Sequence, residues 1–123
     1  MKKNRTFGIT GSKIYSDFKY YKSIIDWFDI SKIISEDNEG LGKLNKQYAE
    51  EKKINIEIVV PDWIKHKNSA IYKKTENFVL KSDEIILLYS VLDKELNYLV
   101  EFAGQNNVDI NFFKIEEDPL ENF

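Results

Sequence analysis

Four short stretches of this chain carry residue types that could meet a small molecule. The first is "FGITGSKIYSD", with Gly11, Ser12, Lys13 and, close behind, Tyr15. Glycine lets the backbone approach a ligand closely, and N–H groups at the start of a following helix can hold an anion. Lys13 would add a point charge. A Gly-Ser pair also suits an ordinary strand-to-helix turn. The second stretch, "SEDNEGLG", sets Glu36, Asp37 and Glu39 beside Gly40. Carboxylates there oppose phosphate by like-charge repulsion. They could instead accept hydrogen bonds from ribose hydroxyls or base amino groups, act as acid and base, or bind a divalent cation. A solvated acidic loop is the plainer reading. The third, "PDWIKHK", offers Asp62 and Trp63 just after a strand end. Trp63 could stack on a base or pack under the loop, and Asp62 could cap a turn. Lys67 and Lys65 flank His66 in a modest basic cluster able to meet a phosphate. The fourth is Tyr89 with Ser90, where a hydroxyl or a ring could reach a ligand.

Several chemistries drop out at once. His66 is the only histidine, so a His-rich metal site is excluded, and no Ser/His/Asp set has suitable spacing. There is no cysteine, hence no disulfide, thiolate nucleophile or Cys-ligated zinc. No metal or cofactor is expected.

Positioning these residues takes a folded domain, and the composition supports one. The chain has 123 residues, 42% hydrophobic and 14% aromatic, which fits a single globular unit with a layered core. A net charge of -3 gives no electrostatic reason to bind nucleic acid. No apolar run reaches membrane-spanning length, and "MKKNRTFG" lacks the apolar core of a signal peptide. The expectation is a cytoplasmic protein without a membrane partner. Arginine occurs once against seventeen lysines, a bias that fits an AT-rich genome of a phage or bacterium.

Five strand patterns alternate with four helix patterns. The strands are expected at Arg5–Thr10, Ser31–Ile34, Ile54–Pro61, Glu84–Tyr89 and Val108–Lys114. Helical spacing of apolar residues covers Phe18–Phe28, Leu41–Lys53, Ser69–Leu80 and Leu96–Gln105, with Ser16 or Asp17 as first N-cap. "EIILLY" is a continuous apolar run, as a strand buried on both faces requires. This alternation predicts an α/β fold, a single Rossmann-like domain with a mainly parallel sheet of about five strands and helices on both faces. The domain is placed at residues 1–116, followed by an acidic tail at 117–123. Ligands of such sheets sit at the carboxyl ends of the strands. The site loops are therefore Gly11–Asp17, Ser35–Lys43, Pro61–Lys67 and Tyr89–Lys94.

Laid out this way, the chain resembles the SLOG superfamily, and within it the YspA/YpsA-related branch of Rossmann-like nucleotide-binding domains. "ITGSKIYSD" is similar to that family's opening strand and Gly-Ser-Arg loop, with Lys13 in the arginine's place. "KQYAEEKKINIEIVVPDWIKH" resembles its helix, strand and Asp-Trp segment, and "KSDEIILLYS" its next strand. The likeness implies a nucleotide or nucleotide-derived ligand held by Gly11, Ser12, Lys13, Tyr15, Glu36, Asp37, Gly40, Asp62, Trp63, Lys67, Tyr89 and Ser90. Departures shape the functional expectation. Glu36-Asp37-Asn38 stands where the family has Gly-Gly-Ala, and Lys74, Thr75 and Glu76 replace an Arg-Asn-Arg element. Its Gly-Thr pair falls on Glu95 and Leu96. Enzymatic branches of the superfamily rely on a Gly-rich phosphate cradle that this chain lacks. The expected function is therefore non-catalytic binding, as a sensor or a sequestering protein such as a phage counter-defence factor. The rivals are a nucleotide N-glycosidase or phosphoribohydrolase-like hydrolase using Glu36, Asp37 or Asp62, and a protein-interaction module that lost its pocket. The aromatic first helix favours a homo-oligomer.

Overall fold

The computed structural model describes residues 5–116, so the expected acidic tail lies outside the described residues. Along the chain come β1 (Thr6–Gly11), α1 (Phe18–Ile25), β2 (Lys32–Glu36), α2 (Leu41–Lys52) and β3 (Asn55–Val59). They are followed by α3 (Trp63–His66), α4 (Ala70–Leu80), β4 (Glu84–Tyr89), α5 (Lys94–Gln105) and β5 (Asp109–Lys114). The strands form one sheet in the order β3-β2-β1-β4-β5, every pair parallel. This is the expected single Rossmann-like α/β architecture.

Parallel neighbours need crossover connections, and these are right-handed almost without exception. The chain moves outward from β1 to β2 and β3, then returns to place β4 on the other side of β1. That reversal sends the helices to opposite faces. α1 and α2 pack on one face, where Tyr21, Ile25, Leu41, Leu44 and Tyr48 meet Phe7, Ile9, Ile33, Ile86 and Leu88. α4 and α5 cover the other, where Phe78, Val79, Leu99 and Ala103 meet Ile34, Val59 and Ile85. Alternate residues of a strand serve alternate faces, which is why β4 is wholly apolar from Ile85 to Leu88.

One polar residue is built into the first face. Asn45 of α2 is fully buried and donates to the Ile9 carbonyl at 2.8 Å and to the Ser35 hydroxyl at 2.9 Å. Its side-chain oxygen accepts from the Tyr21 hydroxyl at 2.5 Å. A buried amide is tolerated only when satisfied, and this one ties α2 to β1, β2 and α1.

Most element boundaries differ from the sequence-based expectation by one to three residues; β2 runs on to Glu36 and α5 starts at Lys94, which puts Glu36 and Glu95 in regular structure. β3 stops at Val59, two residues before Pro61. The segment Pro61–Lys67 holds a single helical turn, α3, because Asp62 accepts from the Lys65 N–H at 3.0 Å and nucleates it. α1 ends at Ile25, after which the Trp27 and Phe28 N–H groups donate to carbonyls three residues back, a tighter turn than the α-helix. Asp17 is the N-cap of α1 and accepts from the Tyr20 N–H at 3.0 Å.

Phe78 is the largest fully buried side chain on the second face. Phe78→Ala should destabilise the fold by about 3–5 kcal/mol in urea unfolding, the usual cost of an emptied aromatic site.

Candidate functional site

The reversal of strand order falls between β1 and β4, so the loops after these strands part there and leave a crevice. A cleft of about 250 Å³ opens at that place. Gly11, Ser12, Lys13 and Ile14 line one side, and Ser90, Val91, Asp93 and Leu96 the other. A second hollow of about 190 Å³ adjoins it and shares Lys13. Glu36, Asp37, Val59, Pro61 and Lys74 are among its walls.

The turn after β1 is fixed by backbone constraints. Gly11 has a φ of 148°, a region that L side chains rarely adopt, and a Cβ there would lie 1.7 Å from the Leu88 carbonyl oxygen. The glycine lets Ser12 N–H donate to that same oxygen at 3.0 Å. Gly40 is constrained in another way: a Cβ on it would strike the Ser12–Ile14 backbone at 2.3–2.4 Å. Leu41 N–H donates to the Ser12 carbonyl at 3.1 Å, and Asn38 Oδ1 accepts from Gly40 and Gly42. The first turn of α2 thus spends these N–H groups on the protein itself.

Between the two hollows runs a chain of alternating charges. Lys74 on α4 is 7% exposed and lies 2.9 Å from Glu36 Oε2 and 2.8 Å from Glu95 Oε2. The other Glu95 oxygen meets Lys13 Nζ at 3.0 Å. The other Glu36 oxygen accepts from the Thr10 hydroxyl at 3.0 Å. Burial pulls the Lys74 pKa down, but the Glu36 charge and the hydrogen bonds to both carboxylates outweigh it, so the value is raised. Burial likewise pushes Glu95 up, and the hydrogen bonds from Lys74 and Lys13 turn the net shift downward. Lys74 and Glu95 are both held in their charged forms.

The sequence-predicted residues divide. Gly11, Ser12, Lys13 and Ser90 meet in the first cleft, and Lys13, Glu36 and Asp37 in the second hollow. Glu36 is buried at the end of β2 rather than solvated in an acidic loop, while Asp37 and Glu39 are exposed. Asp37 pairs with Lys46 at 2.8 Å. Asp62 lines a third groove of about 370 Å³ with Lys65, His66 and Lys73; this groove shares Val60 and Lys74 with the second hollow, and the Asp62 carboxylate caps α3. Tyr15, Gly40, Trp63, Lys67 and Tyr89 line none of these three hollows. Tyr15 is part of the first-face core, where burial, with Asp17 and Tyr20 nearby, pushes its pKa up to about 12. Trp63 is 56% exposed, so it caps no core. Lys67 closes α3 at a φ of 49°, and Tyr89 packs edge-on against Phe112. Among the described residues no group of three His, Asp or Glu side chains could hold a metal ion.

Sequence reasoning missed Lys74 and Glu95 as site residues. A signal for Lys74 was present. Ala70, Lys74 and Phe78 recur at helical spacing, and all three are buried, so a lysine sits on the inward stripe of α4. Compared with protein-family models, with curated proteins and with solved structures, the chain finds no match.

Two measurements probe the charged chain. Lys74→Ala strands Glu36 and should cost about 3 kcal/mol or more in chemical unfolding. Adding Glu36→Gln should recover part of that loss, because the two residues share one interaction. Glu95 has a folded pKa below its ordinary value of 4.5, so its contribution is complete above that pH and fades as pH falls through the depressed value. The Tm gap between wild type and Glu95→Gln should therefore be widest near neutrality and close in acid.

Proposed function

We propose that this protein binds a nucleotide-derived small molecule, without transforming it, in the cleft between β1 and β4. The observation that carries the reading is the meeting of Gly11, Ser12, Lys13 and Ser90 at the one reversal of strand order. Open parallel sheets hold their ligands at this place, and the expected entry turn and strand end converge there. Ile14 and Val91, 53% and 70% exposed, give the cleft apolar lips against which a flat base could rest. Ser12 and Ser90 bring hydroxyls to the same cleft. Its volume suits a nucleoside-sized fragment, with the rest of the ligand over the open edge.

Binding without chemistry is supported by the state of the ionisable groups. A general acid or base works best with a pKa near the operating pH. Lys74 is raised and Glu95 lowered, so each is driven away from that range. The resemblance to the SLOG superfamily agrees, because the residues in place of its phosphate cradle are the charged ones.

Thermal unfolding in the presence of nucleosides, nucleotides and cyclic dinucleotides tests the proposal. A ligand at a hundred times its Kd should raise the Tm by ~10 °C for a domain of this size. Ser90→Trp, which fills the cleft, should abolish that shift while leaving the unliganded Tm near wild type. Chromatography of the same mixtures should recover the ligand intact. No shift with any of the panel, or steady release of a base, would overturn the reading.

A further inference from the structure

We infer that Glu95 is the resident anion of this site, and that the ligand presents no phosphate to Lys13 and Lys74. The inference rests on the proposed cleft being the binding site, and it narrows the ligand to the nucleoside class. Each Glu95 oxygen receives one ammonium, Lys13 at 3.0 Å and Lys74 at 2.8 Å. A phosphate bridging two lysines would make the same two contacts. The protein's own carboxylate already makes them, from the first turn of α5.

Charge at the strand ends supports this. The two hollows and the ion chain between them contain two ammonium groups, Lys13 and Lys74. They also contain four carboxylates, Glu36, Asp37, Asp93 and Glu95, of which Asp37 is balanced by Lys46; Lys65 and Lys73 stand on the far side of Lys74, in the third groove. Asp93 is committed to the α5 N-cap, accepting from the Leu96 N–H at 2.9 Å. Both lysines are paired, and Lys74 is bound on two sides within 3 Å. An incoming phosphate must break two ion pairs and displace a carboxylate that then stays beside it. A neutral ligand that hydrogen-bonds through hydroxyl and amino groups breaks neither. Glu95 is thus the specificity-determining residue, and removing its charge should turn the edge into an anion site.

Inorganic phosphate tests this without any nucleoside. It is titrated into the whole chain at constant ionic strength, set with chloride, and followed by calorimetry and by the side-chain amine signals of Lys13 and Lys74. The Lys13 signal of wild type should show no saturable response. Glu95→Gln should bind phosphate at least about tenfold more tightly than the upper limit set by wild type, equivalent to about 1.4 kcal/mol, and Glu95→Gln with Lys13→Ala should lose the gain. Glu95→Ala repeats the test without an amide in the way, and circular dichroism verifies that each variant is folded. Saturable movement of the wild-type Lys13 signal by phosphate overturns the inference, and that arm needs no variant; Lys13 is the reporter because it lies outside the groove lined by Lys65, His66, Lys73 and Lys74. A folded Glu95→Gln and a folded Glu95→Ala that both ignore phosphate overturn it as well. A nucleoside monophosphate that stabilises wild type more than its nucleoside would sink this inference and leave the binding reading intact. Failure of every nucleoside, with the phosphate results as expected, would sink only the binding reading.

Discussion

Lys74 is the constraint around which this end of the molecule is arranged. An ammonium that is 7% exposed cannot be left unpaired, and two carboxylates from different elements must reach it. Glu36 arrives from the last position of β2 and Glu95 from the first turn of α5. The lysine sits on α4, so one charge fixes the relative placement of a central strand and both helices of the second face. The Thr10 hydroxyl brings β1 into the same set through Glu36. A well-packed apolar cluster could hold these elements at less risk. What the ionic version adds is directional: each group has one geometry in which it is satisfied.

The opposite side of the sheet uses neutral polar groups for the same end. Asn45 joins four elements beneath the first helices, and Asn38 with the Ser12 carbonyl closes the start of α2. The entry turn is therefore held on both flanks, by Gly40 on one and by Leu88 on the other. Such a turn is rigid for internal reasons. Its glycines are required by the packing of strands and loops whether or not a ligand is bound.

Architecture was legible because the signals were redundant. The apolar run of β4, the alternation of strands and helices, and the helical stripe of α2 each pointed to the same parallel sheet. The candidate site was less so, because residue type does not reveal direction. Glu36, Asp37 and Glu39 read alike in sequence, yet Glu36, the last residue of β2, turns inward to Lys74 while Asp37 and Glu39, beyond the strand end, are exposed. Asp62 and Trp63 looked alike as ligand contacts, but the aspartate spends its carboxylate on a helix start and the tryptophan faces outward. The positions where the chain departs from the pattern it resembles include Glu36, Lys74 and Glu95. Only the fold reveals that these three departures touch one another.

The contact between Lys13 and Glu95 spans 82 positions of sequence. Its consequence concerns the order of assembly. During synthesis the first three strands and their two helices emerge with Glu36 in place, and Lys74 follows on α4. Lys74 can then find Glu36 alone. The second carboxylate exists only after β4 has been added beside β1 and the chain has turned into α5. Until that moment Lys13 has no Glu95 to hold it. Before α5 is in place, Lys74 therefore has at most one of its two carboxylates and Lys13 lacks the one it meets in the finished fold.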